Sequence, residues 1–258
     1  MAEYDWANAG AQTRSNAIDE GLRTHMNKVY ATMSIGMVIT ALAAWAIAGL
    51  AVTSDPAGAQ VALREGQYLT ELGRLIYTTP LRYVIMFAPL AFVFGLSAMI
   101  NRMSSATAQL VFYAFAAVMG LSLSSIFLVY TGASIVQIFL ITAIAFASLS
   151  LYGYTTKKDL SGMGTFLMMG LVGLIVAMVV NIFLQSPAIM FAISAIGVLI
   201  FAGLTAYDTQ KIKTDYIAHA AHGDSEWLAK AAIMGALNLY LDFINMFIFL
   251  LQLFGSRE

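Results

Sequence analysis

Seven stretches of 18 to 24 mostly apolar residues run through this chain: 29–52, 81–100, 108–130, 135–152, 166–184, 188–207 and 231–254. A helix needs about 20 such residues to cross the hydrocarbon core of a bilayer. Inside that core only helices and closed barrels satisfy their own backbone polar groups. The repetition therefore implies an all-α membrane protein, a bundle of seven transmembrane helices. Composition agrees, with 60% hydrophobic and 10% charged residues, where a soluble domain carries about 25% charged. Residues 131–134 and 185–187 are connections so short that the helices they join must be antiparallel neighbours. Pro187 suits the first turn of the sixth helix, where a missing N–H costs nothing.

Residues 1–28 read as a polar N-terminal tail, mostly flexible with an amphipathic end, residues 29–254 as one transmembrane domain, and residues 255–258 as a short C-terminal tail. The N-terminal segment lacks the short apolar core and small-residue cleavage site of a secretory signal. Lys and Arg concentrate in cytoplasmic loops, which orients such a bundle. With the N-terminus inside, Arg14, Arg23, Lys28, Arg102, Lys157, Lys158, Lys211, Lys213 and Lys230 are cytoplasmic, and Arg64, Arg74, Arg82 and Arg257 are outside. Nine against four supports a cytoplasmic N-terminus and an external C-terminus. The outer loop 53–80 mixes charged and apolar residues and is expected to be partly helical on the interface.

Several functions are excluded by missing parts. A net charge of -1 offers no basic footprint for nucleic acid. There are no cysteines, so thiol chemistry and Cys-based metal sites are absent. Residues 231–254 hold no lysine for a retinal Schiff base. His25, His219 and His222 all lie outside the apolar stretches, away from any serine that would need a base. No His-Glu-x-x-His or P-loop motif occurs. The expectation is a conduit, sensor or interaction partner with no tightly bound cofactor, and not an enzyme.

An ionisable residue within a transmembrane helix is expensive and is the first place to look for function. Asp242 lies well inside the last apolar stretch. Asn238, Asp242, Asn245 and Gln252 are spaced four, three and seven apart and share one face of it. That helix is otherwise apolar on every side, which suits a central position with the stripe turned to the bundle interior. The amides either line a polar path or serve as interhelical packing contacts. Asp208 closes the sixth stretch, where an acid at the negative end of a helix dipole implies a partner. Gly170, Gly173, Ala177 and Asn181 form a small-residue face for close packing. Asp159 or Ser161 is placed to cap the fifth helix. His219, His222, Asp215 and Asp224 read as a solvated loop rather than a metal site.

Several motifs together resemble one family. They are His25 with Val29-Tyr30, YGYTTKKDLS at 152–161, NIFL at 181–184, GLTAYDTQKI at 203–212 and ALNLYLDFIN at 236–245. In this order they are similar to the Bax inhibitor-1 (TMBIM) family, whose bacterial members are inner-membrane proteins. The resemblance implies a seven-helix bundle with the last helix at its centre, and an aspartate pair acting as a pH-sensitive latch on a calcium leak. Asp208 and Asp242 stand in the matching motifs, and Arg102 looks like the basic residue that some relatives pair with the dyad. The chain departs from some relatives in lacking any acid within residues 81–100.

Physical chemistry is compatible with that role. Two carboxylates close together in a low dielectric cannot both ionise cheaply, so the pair titrates as a unit. Protonation then biases a two-state helix arrangement. Ca2+ prefers oxygen ligands, and Asp208 and Asp242 with Asn238 or Asn245 make a transient site, weak enough for a permeant ion to leave. Besides the bilayer and Ca2+, a second class of partner is implied. Some bacterial relatives resemble modulators that bind a membrane-anchored ATP-dependent protease, a reading in which the N-terminal segment and cytoplasmic loops would matter and the acids would be structural.

Overall fold

The computed structural model describes residues 2–55, 61–64, 66–220 and 224–257, with side chains from Ile18 onward apart from that of Arg64. The chain runs α1 (Ala2–Ala51), β1 (Val52–Thr53), β2 (Val61–Arg64), β3 (Gln67–Leu69), α2 (Glu71–Thr78) and α3 (Leu81–Met99). A 3-10 turn (Ile100–Arg102) leads into α4 (Ser105–Leu123), α5 (Ile126–Val129), α6 (Gly132–Thr155), α7 (Ser161–Leu184), α8 (Pro187–His219) and α9 (Ser225–Phe254). Among the described residues seven helical segments are long and apolar enough to cross a membrane. Each contains or nearly coincides with one of the seven apolar stretches.

The last helix is central. Of the most apolar part of α9, 67% is buried, against 11–39% for the other six segments. It packs on α8, α1, α6 and α4, whereas α3 packs mainly on α4 and α2, and α7 on α8. Tyr240 sits fully buried among Phe112 and Phe115, with ring centroids 5.8 and 5.3 Å away in edge-to-face geometry. Its hydroxyl lies 2.6 Å from Thr40 Oγ1. Thr40 Oγ1 also lies 3.0 Å from the Gly36 carbonyl and 2.8 Å from the Ala116 carbonyl, which can only accept. Its one proton is therefore committed to a carbonyl, and Tyr240 O–H donates to Thr40.

Local chemistry sets the helix ends. At the α7–α8 turn Gln185 adopts φ 49°, its N–H donating to the Asn181 carbonyl. The Asn181 side-chain oxygen accepts from Ser186 N–H at 3.1 Å, and Ser186 caps α8 ahead of Pro187. Asp159 Oδ1 accepts from Ser161 N–H (2.9 Å) and Ser161 O–H (2.6 Å), tying down the first residue of α7 although Leu160 holds the cap position. These bonds hold the exposed Asp159 carboxyl below its usual range.

Four expectations differ from the structure. The backbone is helical from Ala2, so the polar N-terminal segment continues into α1 instead of forming a mostly flexible tail. The outer loop is partly helical through α2, and it also holds a small antiparallel sheet in the order β1-β3-β2. Strands this short carry too little periodicity to be read from sequence. The residues between the sixth and seventh apolar stretches, where Asp215, His219 and Asp224 were read as a solvated loop, are mostly helix, because α8 runs to His219 and α9 begins at Ser225 behind the Asp224 cap. On the small-residue face, Gly170 packs against Ile200, but Gly173 faces open space. The close approach falls instead at Gly153 of α6, where a Cβ would collide with the backbone of Ala206 on α8.

Candidate functional site: an aspartate pair at the end of a polar cleft

The extension of α8 relocates Asp208. His219 ends that helix eleven residues beyond it, so Asp208 is a mid-helix residue and not an acid at a helix terminus. Asp208, Lys211, Ile212, Asp215, Tyr216 and His219 follow one another at spacings of three and one. They form a single face of a continuing helix. Asp208 is half-buried and lines a cleft of about 300 Å³ with His25, Asn101, Lys211, Asp215, Lys230 and Asn238 among its walls. The walls come from α1, the 3-10 turn, α8 and α9.

Asp242 is not among the cleft's lining residues and lies in the packed interior. It is 4% exposed, and its Oδ2 atom is buried with no hydrogen-bond partner among the described residues. Burying a carboxylate oxygen without a partner is costly, and native structures leave few such groups. Asp208 is near enough to act electrostatically on Asp242, and Lys211 acts in turn on Asp208. The two acids, assigned from different motifs, thus stand on neighbouring helices, α8 and α9, that pack on each other.

The other residues of the polar stripe part company. Asn238 opens on the cleft with Asp208. Asn245 donates from Nδ2 to the Leu241 carbonyl of its own helix at 2.8 Å. The Gln252 side-chain oxygen accepts from Ser194 O–H of α8 at 2.8 Å, a contact between helices. Arg102 is exposed in the 3-10 turn and is not among the cleft's lining residues, and its neighbour Asn101 is. The cations on the cleft are Lys211 and Lys230.

Sequence reading gave no role to Tyr216 or Trp227, and His25 entered only through the family motif. His25 is buried, with its ring 4.9 Å from that of Tyr216, and Trp227 lies opposite on α9. The helical spacing from Asp208 to His219 was the signal that could have placed Lys211, Asp215 and Tyr216 on the cleft wall. Glu226, at the start of α9, accepts from Ser105 N–H (2.6 Å) and Ser105 O–H (2.9 Å), holding the start of α4 against that of α9. Among the described residues no group of three or more His, Cys, Asp or Glu side chains is arranged to hold a metal ion. His219 bonds through Nδ1 to the Asp215 carbonyl and stacks on Trp227 with centroids 4.0 Å apart, and His222 lies outside the described residues.

Comparison with known proteins places this architecture. The family model described as "Inhibitor of apoptosis-promoting Bax1" matches residues 22–258. The inner membrane protein YbhL of Escherichia coli K12 is 44% identical over 239 residues, covering 92% of this chain and 94% of that protein. An uncharacterized protein of Caulobacter vibrioides is also 44% identical, over 242 residues, covering 94% of this chain and 92% of its own length. Protein RP147 of Rickettsia prowazekii is 40% identical over 246 residues, 95% of each chain. With seven membrane-length helices around a buried α9 and matches spanning nearly its whole length, the chain belongs to the Bax inhibitor-1 family of multi-pass membrane proteins.

Proposed function

We propose that this protein is a pH-sensitive cation leak of the inner membrane, with Ca2+ as permeant ion, a cytoplasmic N-terminus and an external C-terminus. Asp208 and Asp242 form its gate. The observation that carries this reading is the orphaned Oδ2 of Asp242, buried in the central helix beside an acid that opens on a polar cleft. A buried oxygen with no partner is satisfied by a proton shared with a second carboxylate or by a cation. Sharing one proton holds the pair together. Losing it leaves two charges that repel in a low dielectric, and the helices separate or a cation enters. Two carboxylates with Asn238 make too few oxygen ligands for tight Ca2+ binding, which suits an ion in transit. Lys211 and Lys230 take over, at the cleft, the balancing role first assigned to Arg102.

The test is Ca2+ flux into dye-loaded liposomes between about pH 5 and 8, the range in which shared protons of this kind are exchanged. Wild type passes Ca2+ in a pH-dependent way. Asp208→Asn/Asp242→Asn removes the pH dependence. Flux no greater than that of empty liposomes at every pH, with folded protein present, overturns the reading.

A further inference from the structure

A groove with mostly apolar walls, lined by neither aspartate, lies between α1 and α6, toward the ends that the proposed orientation places on the cytoplasmic side. It has a volume of about 470 Å³. That falls within the roughly 300–1,000 Å³ typical of small-molecule sites. Its lining combines exposed polar residues with an apolar wall. Arg23 and Asn27 are exposed at its mouth, and Met26, Phe146 and Leu151 supply apolar wall. No acidic residue lines it.

Hydrogen-bond directions sharpen the gradient. Thr209 Oγ1 donates to the Thr205 carbonyl at 2.8 Å, so it accepts from Ser150 O–H at 2.9 Å. The Ser150 proton being spent, Ser150 accepts from Tyr30 O–H at 2.6 Å. Both hydroxyl protons are thus spent within the protein, that of Tyr30 on Ser150 of α6 and that of Ser150 on Thr209 of α8. The donors left to a ligand are those of Arg23 and Asn27 at the mouth. Arg23 is exposed and makes no ion pair among the described residues. A second cation stands near: Lys213 Nζ donates to the Tyr154 carbonyl at 2.8 Å and lies 5.1 Å from the centre of the Tyr154 ring, and Tyr154 lines the groove.

We infer that the α1–α6 groove is a binding site for an anionic phospholipid, its phosphate held by Arg23 and Asn27 and an acyl chain laid along Met26, Phe146 and Leu151. A ligand for this groove needs negative charge at one end and an apolar body at the other, with no acceptor for Tyr30 or Ser150. An anionic lipid of the adjoining leaflet meets all three conditions and arrives in the right orientation. The inference is independent of how ions pass, so its test reads occupancy without flux.

Full-length protein is reconstituted in phosphatidylcholine bilayers with phosphatidylglycerol carrying a photoactivatable acyl chain, and the labelled peptides are mapped by mass spectrometry. Label is expected on the segments 23–30 and 146–154, suppressed by unlabelled phosphatidylglycerol and not by phosphatidylcholine or inorganic phosphate. Arg23→Gln lowers labelling about fivefold, the share of one basic group at an anionic surface. Ala147→Trp fills the groove and abolishes labelling; Ala147 is exposed, so the fold is kept. Arg82→Gln, at the far end of the bundle, leaves labelling unchanged. Equal labelling by phosphatidylcholine and phosphatidylglycerol probes, labelling indifferent to Arg23→Gln and Ala147→Trp, or displacement by inorganic phosphate alone would each overturn the site.

Discussion

Helices α9 and α7 invert the rule of soluble proteins. The least apolar of the seven membrane-length segments, with mean hydropathy 1.7, is α9, and it is also the most buried at 67%. The most apolar is α7, at 2.6, and only 17% of it is buried. In water the apolar helix would be the core. In a bilayer, lipid solvates leucine as well as another helix does, so nothing drives α7 inward. Polar groups do need company, and α9 carries Asn238, Tyr240, Asp242, Asn245 and Gln252. Its burial follows from its polarity. The same contrast accounts for exposed α7 side chains such as Phe183, at 83% exposure.

The sharpest way to break that comparison is to damage the centre. Tyr240→Ala removes a ring packed on Phe112 and Phe115 and the hydrogen bond that Tyr240 O–H donates to Thr40 of α1. A loss of about 3–5 kcal/mol is expected, seen as a large drop in the detergent unfolding midpoint. A loss under about 1 kcal/mol would mean that α9 is not the organising helix. A smaller effect separates packing contacts from the gate. Ser194→Ala removes the donor to Gln252 and should cost about 0.6 kcal/mol, the average for interhelical hydrogen bonds in a bilayer. The pH profile of Ca2+ flux should not move, and a changed profile would put Gln252 in the ion path. The smallest effect belongs to the periphery. Phe183→Ala should shift the unfolding free energy by less than about 0.5 kcal/mol, and a larger loss would reveal a protein partner on the α7 face.

Much of this was legible. Asp242 stood out because an acid in an apolar stretch is costly unless buried against something, and the structure buries it with an orphaned oxygen. Asp208 was identified, but its surroundings were misread. The hydropathy falls after Tyr207, which looked like the end of a helix, although the spacing of Lys211, Ile212, Asp215, Tyr216 and His219 keeps one face in register. Hydropathy reports where lipid ends, not where a helix ends. Arg102 was chosen by alignment of position, and the 3-10 turn presents Asn101 to the cleft instead. Gly153 gave no local sign of its role, since its significance lies in Ala206 on another helix.

By itself the sequence determined the number of membrane-length helices, their approximate limits, and which of them had polar groups to shelter. Those follow from costs paid locally, residue by residue, between water, lipid and backbone. The tertiary structure decided what each polar group meets. Gln252 found Ser194, Tyr240 found Thr40, and Asp242 found a buried place with no hydrogen-bond partner for Oδ2 among the described residues. Such meetings depend on how helices far apart in the chain are rotated and offset against one another. In a bilayer, where apolar burial is nearly neutral, that choice falls to close packing and to a few hydrogen bonds between helices.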